Sequence, residues 1–386
     1  MNLSADATAD AWSRIPHAPA QVRGIEAIAS PSLLVFDELL ERNLHEMIRI
    51  AGVAARLRPH CKTHKISRVI ERELSLGIRK HKCATIAEAE MLAAAGVPDI
   101  FIAYPIVGPN IDRVVRLAQR FPDATWRVSG DHWGSLVQLN SAAAASSVRI
   151  GVVVDLDPGM HRTGIPIDSG AAELYRRISE LENLRADGFQ LYDGHHRQAD
   201  VAERQTAVNE IWSRTALLAD QLQAEGLPAP RVVAGGTGSF PCFAAIDDPR
   251  LELSPGTVVF HDAGYLRAFP DLDFTPAAVL LTRVIDLPGP GRITVDLGHK
   301  AVAADPAAGQ RVWFPALPQA REVIHSEEHL VLEVDGSISL EPGDALFAIP
   351  RHICPTTALH QEVHVVSGGA IAGCWPVDAR NRRLSI

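Results

Sequence analysis

The chain is poor in cysteine, in surplus basic charge and in long apolar runs, and each shortage removes a class of protein. Its five cysteines, Cys61, Cys83, Cys242, Cys354 and Cys374, are odd in number and widely spaced. That argues against a disulfide framework and for a reducing compartment, so a cytoplasmic location is expected. Most of them read as small buried hydrophobes. The formal net charge is −9, and no basic stripe stands outside residues 56–82, which argues against a nucleic-acid partner. No apolar run is long enough to span a bilayer, so no membrane partner is expected. Met1 to Arg14 lacks the basic-then-apolar order of a signal peptide and reads as a loose arm, placed within an N-terminal segment over 1–29.

What is present is ordinary for a globular protein: 386 residues, 47% hydrophobic and 22% charged, enough for one barrel plus an appendage. From about residue 30 to 260, strand-like and helix-like segments alternate. Leu33–Phe36 precedes a helical pattern over 38–52, and Arg56–Lys62 reads as the next strand. Further strands are expected at 82–86, 99–103, 125–128, 148–155, 188–192 and 232–235, with helices near 87–95, 109–120, 131–141, 170–182 and 201–225. Such alternation predicts a parallel sheet closed into a (β/α)8 barrel over 30–267. With the run Leu253–Phe260 there are nine strand candidates, one too many, so either that run or Leu33–Phe36 lies outside the barrel. From 268 to 386 short strands alternate with turns such as Pro288-Gly289-Pro290-Gly291 and Pro342-Gly343-Asp344, which predicts an all-β second domain.

Function in a barrel gathers at the C-terminal ends of its strands. Arg58-Pro59-His60-Cys61-Lys62-Thr63-His64-Lys65 puts Lys62 at such an end, among His60, His64 and Lys65. A lysine crowded by positive charge gives up its proton more readily. The neutral amine is the nucleophile that forms Schiff bases with aldehydes, pyridoxal phosphate (PLP) among them. The alternative is a solvent-facing basic loop. Arg162 follows the strand ending at Asp155, as an inward-pointing cation or a structural ion pair. Tyr192-Asp193-Gly194-His195-His196 follows the next strand, its histidines being either site or structural groups. Gly235-Gly236-Thr237-Gly238-Ser239 suits phosphate, or is a plain strand-to-helix turn. In the second domain, His352-Ile353-Cys354-Pro355 on a strand would put imidazole and thiol on one face, half of a zinc site. His360 and His364 stand downstream as further candidates.

Taken in order, these residues resemble the D-threonine aldolase/D-serine dehydratase family, fold-type III PLP enzymes related to the N-terminal barrel of alanine racemase. The resemblance runs from about residue 30 to 377. Tyr192-Asp193-Gly194-His195, Gly235-Gly236-Thr237, Ser254-Pro255-Gly256-Thr257 and Asp296-Leu297-Gly298-His299-Lys300 look most like its D-threonine aldolase branch. It implies that Leu33–Phe36 belongs with the β-domain and that the strand carrying Lys62 is the first of the barrel. It implies a homodimer that cleaves D-β-hydroxy-α-amino acids to glycine and an aldehyde. Lys62 would hold PLP, with His60 nearby in the motif, Arg162 near the phenolic oxygen and Tyr192 against the ring. Gly235, Gly236, Thr237 and Thr257 would hold the phosphate. His352 and Cys354 would hold a catalytic divalent metal, and His195 or a metal-bound hydroxide would take the substrate's hydroxyl proton. Family aldolases pair that histidine with an aspartate, whereas Cys354 is as in the D-serine dehydratase branch. Thiolate favours zinc over manganese or magnesium. The main rival is therefore dehydration of D-serine or D-threo-3-hydroxyaspartate. A racemase would need neither His352 nor Cys354, and a non-catalytic PLP carrier would be a barrel alone.

Overall fold

The computed structural model describes residues 13–15, 18–336 and 339–386. Strand β1 (Ser32–Phe36) leads into the helix Asp37–Ala51. Contacts then divide the chain into two units. Of the described residues, those up to 47, 63–66 and those within 257–380 form one; 48–62, 67–256 and 381–386 form the other.

The second of these units is a parallel sheet of β2 (Lys80–Cys83), β3 (Asp99–Pro105), β4 (Thr125–Gly130), β5 (Ile150–Asp157), β7 (Leu184–Leu191), β8 (Val232–Ala234) and β9 (Leu251–Leu253), in that order. The short β6 (Ile165–Pro166) adds to β5. Helices Ile86–Ala94, Pro109–Arg120, Trp133–Ala145, Ser169–Ser179 and Val201–Ala224 separate the strands. Runs such as Ile100-Phe101-Ile102 and Val152-Val153-Val154 are fully buried, as strands covered on both faces must be.

The two ends of this sheet are joined by the segment Leu57–His60. Arg58 and His60 donate backbone hydrogen bonds to Leu253 and Pro255, and Lys82 donates to Pro59, each at 2.8 Å. The segment therefore takes the eighth place and closes the barrel. It is not the regular strand expected over Arg56–Lys62: Ala54–Arg56 and Cys61–Thr63 are 3-10 turns. Pro59 has no N–H to give to a ladder, so pairing reduces to bridges at Leu57 and His60. The run Leu253–Phe260 is likewise interrupted. β9 stops at Leu253, and Thr257–Val259 is a 3-10 turn.

Buried and half-buried ions cross-link the barrel. Arg58, with no exposed side-chain surface, binds Asp99 at 2.7 Å and Glu252 at 2.6 Å. Lys80 reaches Glu252 at 3.1 Å and Arg185 reaches Asp187 at 2.9 Å. Arg127 bridges Asp99 and Asp187, and Arg231 also binds Asp187. Burial alone would raise the Glu252 carboxyl, but the charges of Arg58 and Lys80 outweigh it and hold the group down to about 2.

In the other unit β1 lies between β10 (Ala278–Gly289), antiparallel, and β16 (Glu362–Ser367), parallel. The remaining strands are β11 (Arg292–Val295), β12 (Val312–Trp313), β13 (Arg321–His325), β14 (Leu330–Glu333), β15 (Ala345–Pro350) and β17 (Ala370–Pro376). The main order is β13-β14-β11-β10-β1-β16-β17, with β15 on β10 and β12 on β15. Leu34, Phe36, Val279, Leu281, Phe347 and Val366 form its core together with Ile15, Val22 and Ile25. The expected loose arm lies outside the described residues as far as residue 12. Among the described residues no helix is long and apolar enough to cross a membrane.

Removing one partner of a buried ion pair strands the other charge, which costs about 3–5 kcal/mol. Glu252→Ala should lower stability by that amount, read as a shift of the urea unfolding transition. A loss under about 1 kcal/mol, the value of an exposed pair, would show that the ion layer does not hold the barrel closed.

Candidate active site

The closing segment delivers Lys62 directly. It is half-buried in the turn Cys61–Thr63, and its backbone N–H donates to His60 Nδ1 at 3.4 Å. Ile66 donates to His64 Nδ1 at 3.1 Å in the same manner. Both rings thus accept from the backbone and shape the turn.

A second lysine of this unit, not singled out in the sequence, stands in the site. Lys82 on β2 is buried, and burial first, then the charge of Lys62, lower it to about 7. Its Nζ lies 6.0 Å from the ring centre of Tyr192, and the Arg162 guanidinium lies 4.6 Å from the same centre. Asp155 completes this group: burial raises its carboxyl, although Gln190 and Thr163 each donate to it at 2.8 Å.

Arg162 sits on a loop shaped by Asp157, whose carboxylate accepts from the Gly159 and His161 amides at 2.9 and 3.0 Å. The loop closes at Gly164, with φ +96°. A Cβ there would meet the Asp157 nitrogen at 2.9 Å, so only glycine fits. After β7, buried Asp193 accepts from Ser239 Oγ at 2.7 Å. Ser239 in turn accepts from the Gly236 amide at 3.1 Å. This couples the Tyr192–His196 loop to the Gly235–Ser239 turn. A Cβ on Gly236 would lie 3.1 Å from the Tyr192 ring. Thr237 is buried. His195 is exposed, with its ring 4.2 Å from that of His196. What burial it has and then the His196 charge lower its pKa.

These residues fit an anionic aromatic aldehyde. In the ion layer, Arg58, Lys80, Arg127, Arg185 and Arg231 already exceed Asp99, Asp187 and Glu252. Lys62, Lys82 and Arg162 add cations opposed by Asp155. Bare glycine backbone beside Tyr192 leaves room for a group that a side chain would fill.

The β-unit holds the expected metal pair, in a different setting from that expected. β15 ends at Pro350 and His352 caps the helix Ile353–Leu359. The pair is therefore on a helix N-terminus, not a strand. Pro355 falls in the first turn, where a missing N–H costs nothing, and Thr356 and Thr357 donate back to His352 and Ile353 carbonyls. His352 Nδ1 lies 2.5 Å from Asp305. Cys354 Sγ lies 3.3 Å from the Thr63 hydroxyl and 3.5 Å from that of Thr257. Buried Asp262 accepts from Tyr265 at 2.8 Å and from Ile353 at 3.1 Å, anchoring the start of this helix. Burial opposes a charge on His352, yet the Cys354 and Asp305 contacts raise it to about 9. A setting that holds a proton so firmly also suits a metal cation, with Nε2 as donor and Asp305 orienting the ring. His360 donates elsewhere, lying 2.8 Å from the Ala301 carbonyl. Asp262 and Asp305 were not legible beforehand, because neither is near His352 in sequence.

Comparison with known proteins agrees with this architecture. The family model "Alanine racemase, N-terminal domain" matches residues 38–263, and "Putative serine dehydratase domain" matches 277–366. A D-threonine aldolase of Arthrobacter sp is 31% identical, covering 92% of this chain and 93% of its own. A 3-hydroxy-D-aspartate aldolase of Paracoccus denitrificans (strain Pd 1222) is 29% identical over the same shares. The crystal structure of D-threonine aldolase from Filomicrobium marinum superposes with a TM-score of 0.86 at 28% identity, covering 93% of this chain and 98% of that one. A D-threo-3-hydroxyaspartate dehydratase variant in the metal-free form shares the fold, with a TM-score of 0.80 at 22% identity, covering 91% and 98%.

Lys82 gives a signed pH dependence. Its pKa falls from 10.5 to about 7 on folding, so between those values the unfolded chain binds a proton that the folded chain does not. Stability from this group therefore rises with pH across that window, and below about pH 7 the full cost of the buried charge is present. Lys82→Met should melt several degrees higher than the parent at pH 7, with the difference shrinking towards pH 10. A difference that does not change with pH would show that Lys82 is not the titrating group.

Proposed function

The chain belongs to the alanine racemase-like family that includes the D-threonine aldolases, and on that premise we propose that it cleaves D-β-hydroxy-α-amino acids to glycine and an aldehyde. The family is PLP-dependent. The observation that carries the reading is the convergence of Lys62, Arg162, Tyr192 and Lys82 at the barrel's cationic end. The β-unit holds a His352–Cys354 pair suited to a divalent ion.

Lys62 would hold the cofactor's aldehyde carbon covalently, with His60 fixing the turn that presents it. Arg162 would lie at the phenolic oxygen and Tyr192 against the ring, while Gly235, Gly236, Thr237 and Thr257 would take the phosphate. PLP, when bound, supplies an electron sink for bonds at Cα. His352 and Cys354 would hold a divalent metal, zinc by the softness of the thiolate, which lowers the pKa of a hydroxyl bound to it. His195, kept neutral by its lowered pKa, takes the β-hydroxyl proton. The oxygen pair so released would form the carbonyl as Cα–Cβ breaks; the bonding pair would stay with Cα, and a proton delivered there, balancing the one His195 took, would complete glycine as the aldehyde leaves. By likeness to the family the active form is a homodimer. The five cysteines, none of them in a disulfide, fit a reducing, cytoplasmic setting.

Cys354 favours a second reading. With Lys62 taking the α-proton and the hydroxyl expelled, the same residues would dehydrate D-serine or D-threo-3-hydroxyaspartate. Product analysis with D-threonine, D-serine and D-threo-3-hydroxyaspartate separates the two. Glycine plus aldehyde is expected, whereas a 2-oxo acid plus ammonia would establish the dehydratase. Chelation should abolish turnover while leaving cofactor absorbance and melting temperature nearly unchanged. Undiminished activity after chelation would point to a racemase instead. Cys354→Asp should retain part of the activity and shift its preference from zinc towards manganese or magnesium, measured by reconstitution with each ion.

A further inference from the structure

We propose that Glu362, His364 and Cys374 form a second divalent-metal site, made of different residues from His352 and Cys354, that takes zinc or another thiophilic ion. β16 alternates: Val363 and Val365 are buried, whereas Glu362 and His364 lie on the opposite face. In the antiparallel ladder Cys374 of β17 stands directly opposite His364. The register so gathers an oxygen, a nitrogen and a sulfur donor.

The separations suit a small ion. His364 Nδ1 lies 2.9 Å from Cys374 Sγ, and one donor atom from each of the three residues falls within 4.8 Å of the others. A tetrahedral zinc with bonds of about 2.0–2.3 Å spaces its donors roughly 3.3–3.6 Å apart. The 2.9 Å pair and the 4.8 Å limit lie on either side of that spacing, so side-chain rotation suffices. Among the described residues this is the one group of three mutual His, Cys, Asp or Glu donors.

The charges call for a cation. Burial first, and then the Glu362 carboxylate, push the Cys374 thiol up. A divalent ion inverts this: it deprotonates the thiol and turns Glu362 from a repelling neighbour into a ligand. Thiolate and carboxylate then balance the ion's charge, and three protein donors leave one position for water. Because β17 ends the sheet order, the ion fastens an edge strand to its neighbour.

The test reads thiol and metal on the holoenzyme. Zinc-loaded and chelator-treated samples are alkylated with iodoacetamide, and Cys374 is followed by peptide mass spectrometry. Cys61, Cys83 and Cys242 are buried, so the exposed thiol is read with little background. Zinc should slow alkylation of Cys374 by at least about tenfold, since a bound thiolate is not a free nucleophile. The variant His364→Gln/Cys374→Ser should carry one zinc per chain fewer than the parent while retaining turnover. A His352→Gln/Cys354→Ser variant should still show zinc protection of Cys374, which separates this site from the one assigned to the reaction. Equal zinc content in the parent and the His364→Gln/Cys374→Ser variant, or Cys374 alkylation indifferent to zinc, overturns the proposal.

Discussion

The barrel depends on Arg58. Its guanidinium is fully buried and divided between Asp99 on β3 and Glu252 on β9, and its backbone N–H is bonded to Leu253. One residue thereby ties the closing segment to its neighbour β9, to β3 beyond β2, and to the ion layer. The segment needs that help, because Pro59 interrupts its ladder and only Leu57 and His60 bridge as strand residues do. A buried ion pair contributes little net stability over a well-packed apolar one, but losing one member is costly. The interaction is therefore better read as fixing register. Four residues on from Arg58 the chain presents Lys62, and a shift in the segment would move it.

The same layer sets the electrostatics above it. Cations outnumber carboxylates around Asp99, Asp187 and Glu252. Lys82 is buried with them at reduced proton affinity. Positive potential inside a low-dielectric wall raises the local concentration of anions, which suits a phosphate-bearing cofactor and a carboxylate substrate. Arg162 and Lys82 both lie against Tyr192, so the ring is framed by cations and cannot drift without loss of those contacts.

Much of this was legible in the sequence, for reasons of period. Helices such as Pro109–Arg120 and Val201–Ala224 carry a 3.6-residue apolar rhythm or a capping aspartate. Within β3 and β5, Ile100–Ala103 and Val152–Val154 are unbroken apolar runs. Local signals failed where tertiary register decides. A strand is expected over 82–86 but runs over Lys80–Cys83; alternate residues of a barrel strand face inward, which places Lys80 on Glu252 and buries Lys82. His352 and Cys354 were visible as a pair, but Pro355 made their backbone a helix start rather than a strand. His364 was visible without its partner, since only the β16–β17 pairing brings Cys374 across from it.

The central claim is that the clamped segment makes Lys62, and no other lysine, the carrier of the cofactor. Lys82 is the severe competitor, being buried in the same unit with a pKa of about 7, where a lysine is already half in its nucleophilic form. Borohydride reduction of the purified holoenzyme followed by peptide mapping decides between them. The account predicts the reduced pyridoxyl group on the peptide containing Lys62. Label on Lys82 or Lys65 would contradict it.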